Sequence, residues 1–215
     1  NRPASKVKLT NNNKITLTGE GSVGIYAKRG EITNNGDISI AKNSVGLYLT
    51  EDNRGTAAGK AYNNGLITLG ERSSGILYRA ETTGSNTALP GGIYNNGENA
   101  VGMYAAGTGN YNIKNLGKIT VGSALSENSP AIAIYTNSVN SMVENSGKIT
   151  AGDKSLGIYG YSVNTGNTSN VSVGNAGTGI YSLGGNLNLQ GKLTIGTDET
   201  KGVLVTGDNQ IVNND

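Results

Sequence analysis

Residues 143–160 read VENSGKITAGDKSLGIYG, and this stretch contains two phrases that recur along the chain. The first phrase is apolar-x-Asn-x-Gly-x-apolar-x-apolar, as in VENSGKITA, and the second is apolar-Gly-apolar-Tyr, as in LGIY. Apolar and polar residues alternate within each phrase, which is typical of β-strands. No segment has a helical period, and the abundant glycine disfavours long helices.

The two phrases recur with a period of at least 22 residues. The first returns as KLTNNNKITL, EITNNGDISI, AYNNGLITL, IKNLGKITV and NLNLQGKLTI, and the second as VGIYA, VGLYL, SGILY, VGMYA, IAIYT, TGIYS and KGVLV. In the second phrase, the spacing between equivalent tyrosines is 22 residues from Tyr26 to Tyr48 and 31 residues from Tyr104 to Tyr135. A strand repeat of this length indicates a solenoid, with the extra residues inserted at corners.

One such unit cannot fold alone, because ordering its backbone costs about 1–2 kcal/mol per residue and it buries few aliphatic groups. Stacked units share a core and ladder hydrogen bonds. The repeat therefore predicts an all-β fold, a parallel β-helix (β-solenoid) of about eight rungs with three short strands each. The usual handedness of crossover connections predicts right-handed winding.

Aligning the phrases predicts which side chains stack from rung to rung. One inward column contains Leu9, Ile32, Ala61, Ile93, Ile113, Val143, Thr165 and Leu187. A second contains Ile25, Leu47, Ile76, Met103, Ile134, Ile158, Ile180 and Val203. An inward amide ladder beside a turn is expected from Asn11, Asn34, Asn63, Asn95, Asn115, Asn145 and Asn167. A mixed, solvated outer column is expected from Lys14, Asp37, Leu66, Glu98, Lys118, Lys148, Asn170 and Lys192.

The stretch GEGSVG at 19–24 has the spacing of a dinucleotide-binding loop. Its last glycine, however, belongs to a column of the repeat: Gly24, Gly46, Gly75, Gly102, Ala133, Gly157, Gly179 and Gly202. A nucleotide fold would also need a helix next, and IYAKRGEITNNG is no helix pattern. The match therefore arises from the solenoid repeat.

The composition excludes several kinds of site. The 215 residues include no Cys and no His, which removes disulfides, thiolate nucleophiles, the common zinc sites and a His general base. We expect no metal and no cofactor. The formal charge of +2 disfavours nucleic acid as a partner. No apolar run reaches membrane-spanning length, so we expect no direct membrane insertion of this segment.

The phrases ITNNGDISI, SVGIYA, VENSGKITA and SLGIYG resemble the passenger domains of fusobacterial outer-membrane (type V) autotransporter adhesins. The resemblance runs from about Leu9 to the end of the chain. It implies a β-helical stalk at the cell surface, anchored to the outer membrane through a C-terminal translocator barrel of the parent protein. It also implies attachment to host cells or other bacteria through a surface receptor, protein or glycan. The family has no motif of functional residues that can be carried over.

The tyrosines of the second phrase are predicted to form a stripe on the outer face. They are Tyr26, Tyr48, Tyr104, Tyr135, Tyr159 and Tyr181, with Leu77 and Leu204 at the remaining rungs. One interpretation is a stabilising ladder packed over the column glycines. The other is a binding platform for sugars or for a protein strand.

Insertions at the corners provide a second candidate surface. Segments 49–60 and 78–92 are predicted to leave one corner on adjacent rungs, and segment 122–131 leaves another. Binding sites of solenoid proteins usually lie on neighbouring loops, although sequence drift that the fold tolerates also produces such insertions. The charged candidates in the first two loops are Glu51, Asp52, Arg54, Arg79 and Glu81.

Three functions remain open from the sequence: an adhesin segment, a non-binding spacer of the stalk, and a polysaccharide lyase or hydrolase. The enzyme is disfavoured because no outer column repeats an acid and no GGxGxDx calcium motif occurs. Residues 211–215, IVNND, repeat the opening of ITNNG at 32–36. This predicts that 1–215 is a single segment cut from a longer solenoid.

Overall fold

A computed structural model describes residues 7–28, 30–50, 60–79, 84–88, 93–95, 101–106, 111–139 and 141–214. These residues form 25 strands in three parallel sheets. Successive strands pass to the first, second and third sheet in turn, and each pairs with the strand three places further on. The result is a parallel β-solenoid of eight three-strand rungs followed by a ninth strand in the first sheet. The predicted fold class is confirmed, and right-handed winding stays a prediction.

The strands are short, as expected for a chain that turns a corner after each one. The first sheet contains β1 (Val7–Asn11), β4 (Gly30–Asn34), β7 (Lys60–Asn63), β10 (Gly84–Ala88), β13 (Tyr111–Asn115), β16 (Met142–Asn145), β19 (Ser162–Thr165), β22 (Gly185–Leu189) and β25 (Asn209–Asn214). The second contains β2 (Ile15–Leu17), β5 (Ile38–Ile40), β8 (Ile67–Leu69), β11 (Ile93–Asn95), β14 (Lys118–Val121), β17 (Lys148–Ala151), β20 (Asn170–Val173) and β23 (Lys192–Ile195). The third contains β3 (Val23–Lys28), β6 (Val45–Thr50), β9 (Ser74–Arg79), β12 (Val101–Ala106), β15 (Ile132–Thr136), β18 (Leu156–Gly160), β21 (Thr178–Ser182) and β24 (Lys201–Val205).

The core is a thin rod of aliphatic side chains that runs through the rungs. The predicted column from Ile25 to Val203 is in register throughout the third sheet. Its middle members, among them Ile134 and Ile158, are fully buried. Because every rung contributes only a few such side chains, burial is shared between neighbours and each rung depends on the next.

The first predicted column is wrong at two rungs. Ile93 lies in the second sheet, level with Ile119, while Asn86 of β10 is level with Ile113. The alignment of IYNNG with ITNNG wrongly placed Ile93 in the first sheet. In that rung the first-sheet strand is formed by residues 84–88 instead. Segment 78–92, expected as one insertion, therefore contains a strand. In the seventh rung Val163, rather than Thr165, is level with Val143.

The asparagine ladder is present at the first corner, with two positions corrected. The Nδ2 of Asn34 donates to the Oδ1 of Asn63 at 2.7 Å, and Asn115 does the same to Asn145 at 2.7 Å. Ala88 stands level with Asn63 where Asn95 was expected. Thr165 stands level with Asn145 where Asn167 was expected, and the Asn145 amide donates instead to Ser169 Oγ at 2.6 Å. These bonds satisfy buried amides along the axis.

The glycine column lets successive rungs approach closely. A Cβ added at Gly102 would lie 2.6 Å from the carbonyl oxygen of Ala133 and 2.7 Å from Cγ2 of Ile119 in the core. The column glycines therefore face the core and the next rung's backbone. Packing of the tyrosine rings over these glycines stays a prediction.

A second corner, between the second and third sheets, stacks residues in the left-handed conformation. Asn43, Arg72, Lys154, Ala176 and Glu199 have φ between 47° and 56° there. Serines follow several of them and bond across rungs; Ser44 N, for example, donates to Ser73 Oγ at 3.0 Å. This corner fixes the backbone direction at Lys154 beside the third sheet.

The last rung is less well packed than the middle rungs, which leads to a prediction. Val203 and Val205 are 40% and 39% exposed, whereas Ile158 is 0% exposed. Local opening costs least where apolar burial is small. We expect amides after Gly202 to exchange with solvent before those of β15 and β18 in native-state hydrogen exchange. Equal protection across residues 156–205 in a monomeric sample would contradict this expectation.

Candidate binding site on the third sheet

The predicted tyrosine column lies on the outer face of the third sheet. Tyr26 is level with Tyr48, and four further tyrosines follow one another from Tyr104 to Tyr181. Leu77 separates the two groups and Leu204 ends the column. Tyr26 is 51% exposed and the other five rings are half-buried. The column is confirmed as geometry, and its binding role stays a prediction.

The rings of the longer group stack on one another. Tyr104 and Tyr135 have centroids 4.9 Å apart and an interplanar angle of 4°, and Tyr135 and Tyr159 have 4.9 Å and 7°. Tyr159 and Tyr181 are 5.0 Å apart and tilted by 32°. In the shorter group Tyr26 and Tyr48 are tilted by 58°. The 4.9 Å spacing follows the distance between strands.

The stacking determines which parts of the tyrosine side chains a ligand can contact. Parallel rings at this spacing cover each other's faces, so a sugar cannot lie flat on Tyr135 or Tyr159. The ring edges, which carry partial positive charge, and the phenolic hydroxyl groups remain available. The stripe therefore suits a ligand with hydrogen-bond acceptors along its length.

The hydroxyls of Tyr135 and Tyr159, in the middle of the stack, keep their protons. Burial raises the pKa of Tyr135, and the neighbouring phenols of Tyr104 and Tyr159 raise it further. Burial likewise raises the pKa of Tyr159, with Tyr181 and Tyr161 contributing. Both hydroxyls are thus neutral and able to donate a hydrogen bond at physiological pH.

A pocket of about 220 Å³ adjoins the end of the stack. Tyr159, Tyr181, Leu156 and Leu204 supply its apolar part, and Lys154 and Lys201 are its positive groups. Loop 122–131 supplies Glu127 and Pro130. The Lys154 Nζ donates to the Leu125 carbonyl at 3.4 Å, which holds the loop beside the sheet. We call this pocket and the adjoining stack from Tyr104 to Tyr181 the tyrosine groove.

Most of the loop candidates on the other corner fall on residues that the structure does not describe. Glu51, Asp52, Arg54 and Glu81 lie outside the described residues. Arg79 is the last residue of β9, level with Thr50. Their role stays a prediction.

Four groove residues were missed by the sequence analysis: Glu127, Pro130, Lys154 and Lys201. Loop 122–131 had been recognised as an insertion, but its position beside the tyrosines depends on the fold of the corner. Lys201 could have been found from the repeat, since it is level with Thr178, three residues before Tyr181.

Comparison with known families gives a match over the first part of the chain. Residues 1–89 match the family model of the BigA third pectate lyase-like domain, which covers 89 of the 215 residues. The chain resembles a domain of bacterial surface proteins. The BigA-like region spans the first three rungs and β10 of the fourth, and the repeat continues beyond it in the same three sheets. This likeness agrees with the solenoid and supports a passenger-like β-helix at a bacterial surface.

Neither a search of curated proteins nor a search of solved structures found a significant match. The described residues contain no helix that is long and apolar enough to span a membrane. Among the same residues, no three acidic or other metal-binding side chains are grouped to hold a metal ion.

Proposed function

We propose that this chain is a binding segment of an autotransporter-type adhesin, held at the outer membrane through its parent protein. It attaches to host cells or other bacteria through the tyrosine groove. The observation that carries the proposal is the half-buried tyrosine stack that joins a pocket walled by a corner loop. The BigA-like region and the resemblance to fusobacterial passengers support the surface location.

The groove has the features of a recognition surface. Outward positions of a solenoid strand are normally polar, whereas here four aromatic rings follow one another on successive rungs. Tyrosine is favoured at protein interfaces because it combines a rigid apolar body with a hydroxyl group. Lys154, Lys201 and Glu127 add charged groups at the rim, where they can select among partners.

A spacer is the second candidate, and one observation favours it. The rings cover one another, and each aromatic pair is worth about 0.5–1.5 kcal/mol beyond its buried area. A stack that stabilises the solenoid in this way would also be useful in a stalk that binds no partner. The two functions differ in what happens when the pocket is altered without disturbing the stack.

We also propose that the segment binds without catalysis. Several described carboxylates have structural partners: Asp37 Oδ1 accepts from Leu66 N at 3.0 Å, and Asp153 Oδ1 accepts from Asn175 N at 2.8 Å. Glu20 forms an ion pair with Lys42 at 2.8 Å. The hydrogen bond between the two side chains lowers the pKa of Glu20 and raises the pKa of Lys42. Acids engaged in this way are poor candidates for general acid–base catalysis.

The test compares pocket and stack variants in one assay. We expect Tyr181→Ala and Lys201→Gln to weaken binding to epithelial cells or to partner bacteria about tenfold, as loss of an interface anchor does. Tyr26→Ala is the matched control, since it removes a ring of the same column that lies outside the tyrosine groove. Binding of the labelled chain is measured by flow cytometry and the melting point by circular dichroism.

The outcomes separate the candidates. Under the adhesin proposal Tyr26→Ala leaves binding intact, while Lys201→Gln lowers binding at an unchanged melting point. If both tyrosine variants lower only the melting point and Lys201→Gln changes nothing, the spacer is correct. Conversion of a polysaccharide by the wild-type chain would refute the proposal that it acts without catalysis.

A further inference from the structure

The outer face of the second sheet bears two regular columns over four of its rungs. Lys118 is level with Lys148, and Asn170 stands between Lys148 and Lys192. All three lysines are exposed. Two residues further along each strand are Thr120, Thr150, Ser172 and Thr194. We call these eight positions the lysine face.

The four rungs of the lysine face belong to the column that the sequence predicted as mixed and solvated. The mixed character comes from its N-terminal rungs, where Asp37 and Leu66 follow Lys14. Glu98, expected next to Lys118, lies outside the described residues. The eight positions of the lysine face contain no carboxylate.

Stacking lysines in register works against folding. Strands in a sheet lie about 4.8 Å apart, and like charges directly opposite each other are destabilising. Two lysines on other parts of the fold form ion pairs: Lys114 with Glu144 at 3.4 Å and Lys42 with Glu20 at 2.8 Å. Within the described part of the chain, Lys118, Lys148 and Lys192 have no ion-pair partner. Their charge is therefore available to an external anion.

We propose that the lysine face binds an extended anionic polysaccharide laid along the solenoid axis. Its sulfate or carboxylate groups would meet the ammonium column, and its hydroxyl groups would meet Thr150, Ser172 and Thr194 two residues away; the Oγ1 of Thr120 is buried. Both columns repeat at the rung spacing, which suits a linear polymer with regularly placed groups. The face is on a different sheet from the tyrosine groove, and the inference does not rest on that groove.

The chemistry of the face favours a glycan over other polyanions. Lysine is a flexible point charge, whereas the bidentate recognition of phosphate favours arginine, and the lysine face contains none. Single-stranded nucleic acid is usually held by aromatic stacking, and no aromatic residue stands among the eight positions. No apolar side chain stands among them to enter a bilayer interface.

The test uses heparin fragments as the probe and calorimetry as the readout. The variant K118Q/K148Q/K192Q lowers the formal charge from +2 to −1. The control K8Q/K42Q/K114Q makes the same change on other faces. We expect the first variant to bind at least about tenfold more weakly and the control to bind nearly as the wild type. For three released counterions, the wild-type affinity should fall with salt on a log–log slope of about −2 to −3.

Further arms make the result decisive. K118R/K148R/K192R keeps the charge and should keep binding, and circular dichroism should show that all variants are folded. Equal loss in the triple variant and its control would overturn the proposal, because total charge would then explain binding. Absence of heparin binding, or preference for duplex DNA or phosphatidylserine vesicles over heparin, would also overturn it. The tyrosine variants should bind heparin normally, so the two proposals can fail separately.

Discussion

Ile134→Asp is expected to prevent folding of the whole chain. Ile134 is 0% exposed and is level with Met103 and Ile158, which are also 0% exposed. The core at that point is only a few side chains wide and supplies no partner for a carboxylate. Burying an unpaired charge costs several kcal/mol, which is comparable to the 5–15 kcal/mol that stabilise a typical domain. Loss in the middle of the rod also removes the support that each rung gives its neighbours.

Far-UV circular dichroism and thermal melting measure the effect. Thr150→Asp is the matched control, because it introduces the same carboxylate at an outward position of the sixth rung's second strand. We expect the control to melt within a few degrees of the wild type, since surface substitutions usually change stability by less than about 0.5 kcal/mol. A folded Ile134→Asp variant with the wild-type melting point would show that the inward assignment of this column is wrong.

Where the phrases are strong, the sequence predicted the register correctly. The columns that contain Ile134 and Tyr135 were found at every rung, because apolar-Gly-apolar-Tyr occurs there with few substitutions. The fourth rung failed for a physical reason. Its first strand, GSNTA, has no apolar alternation of its own, and its place is given only by pairing with the strands on either side.

The composition of the tyrosine stripe was predictable, but its surroundings were not. Alternation within a strand places Tyr135 outward, and the period places Tyr159 above it. The parallel orientation of the rings, the approach of loop 122–131 and the direction of Lys154 depend on corner geometry. Lys154 has a φ of 56°, which could not be predicted from the sequence because lysine rarely adopts this conformation.

The order of residues on the lysine face was predictable from the sequence, but its availability to a ligand was not. Lys118, Lys148, Asn170 and Lys192 follow one another in the predicted column, and the structure confirms this order on successive rungs. The column was interpreted as mixed because its N-terminal rungs contribute Asp37. The repeat pattern could not show that the three lysines are exposed and without an ion pair among the described residues, because that depends on side-chain positions.

Gly102→Ala is expected to destabilise the solenoid by about 1–3 kcal/mol, the usual cost of overpacking. The new Cβ would lie 2.6 Å from the Ala133 carbonyl oxygen and 2.7 Å from Cγ2 of Ile119. The first of these is backbone of the next rung, so the rungs would have to separate or tilt. Ala133 is the one column member that already has a Cβ, and the variant would place two such residues on successive rungs. The cost arises from this contact, because Gly102 has no left-handed φ.

Gly202→Ala in the same column provides the control, because its contacts are different. Its Cβ would meet only Cδ2 of Leu193 at 3.4 Å and Cγ2 of Ile195 at 3.9 Å, which are ordinary van der Waals distances. Replacing a glycine by alanine without strain stabilises a protein by about 0.4–1 kcal/mol through the unfolded state. Urea unfolding should therefore show a lower midpoint for Gly102→Ala and an unchanged or higher midpoint for Gly202→Ala. Equal losses in both variants would mean that the column requires glycine for its backbone conformation, and that close approach between rungs is not the cause.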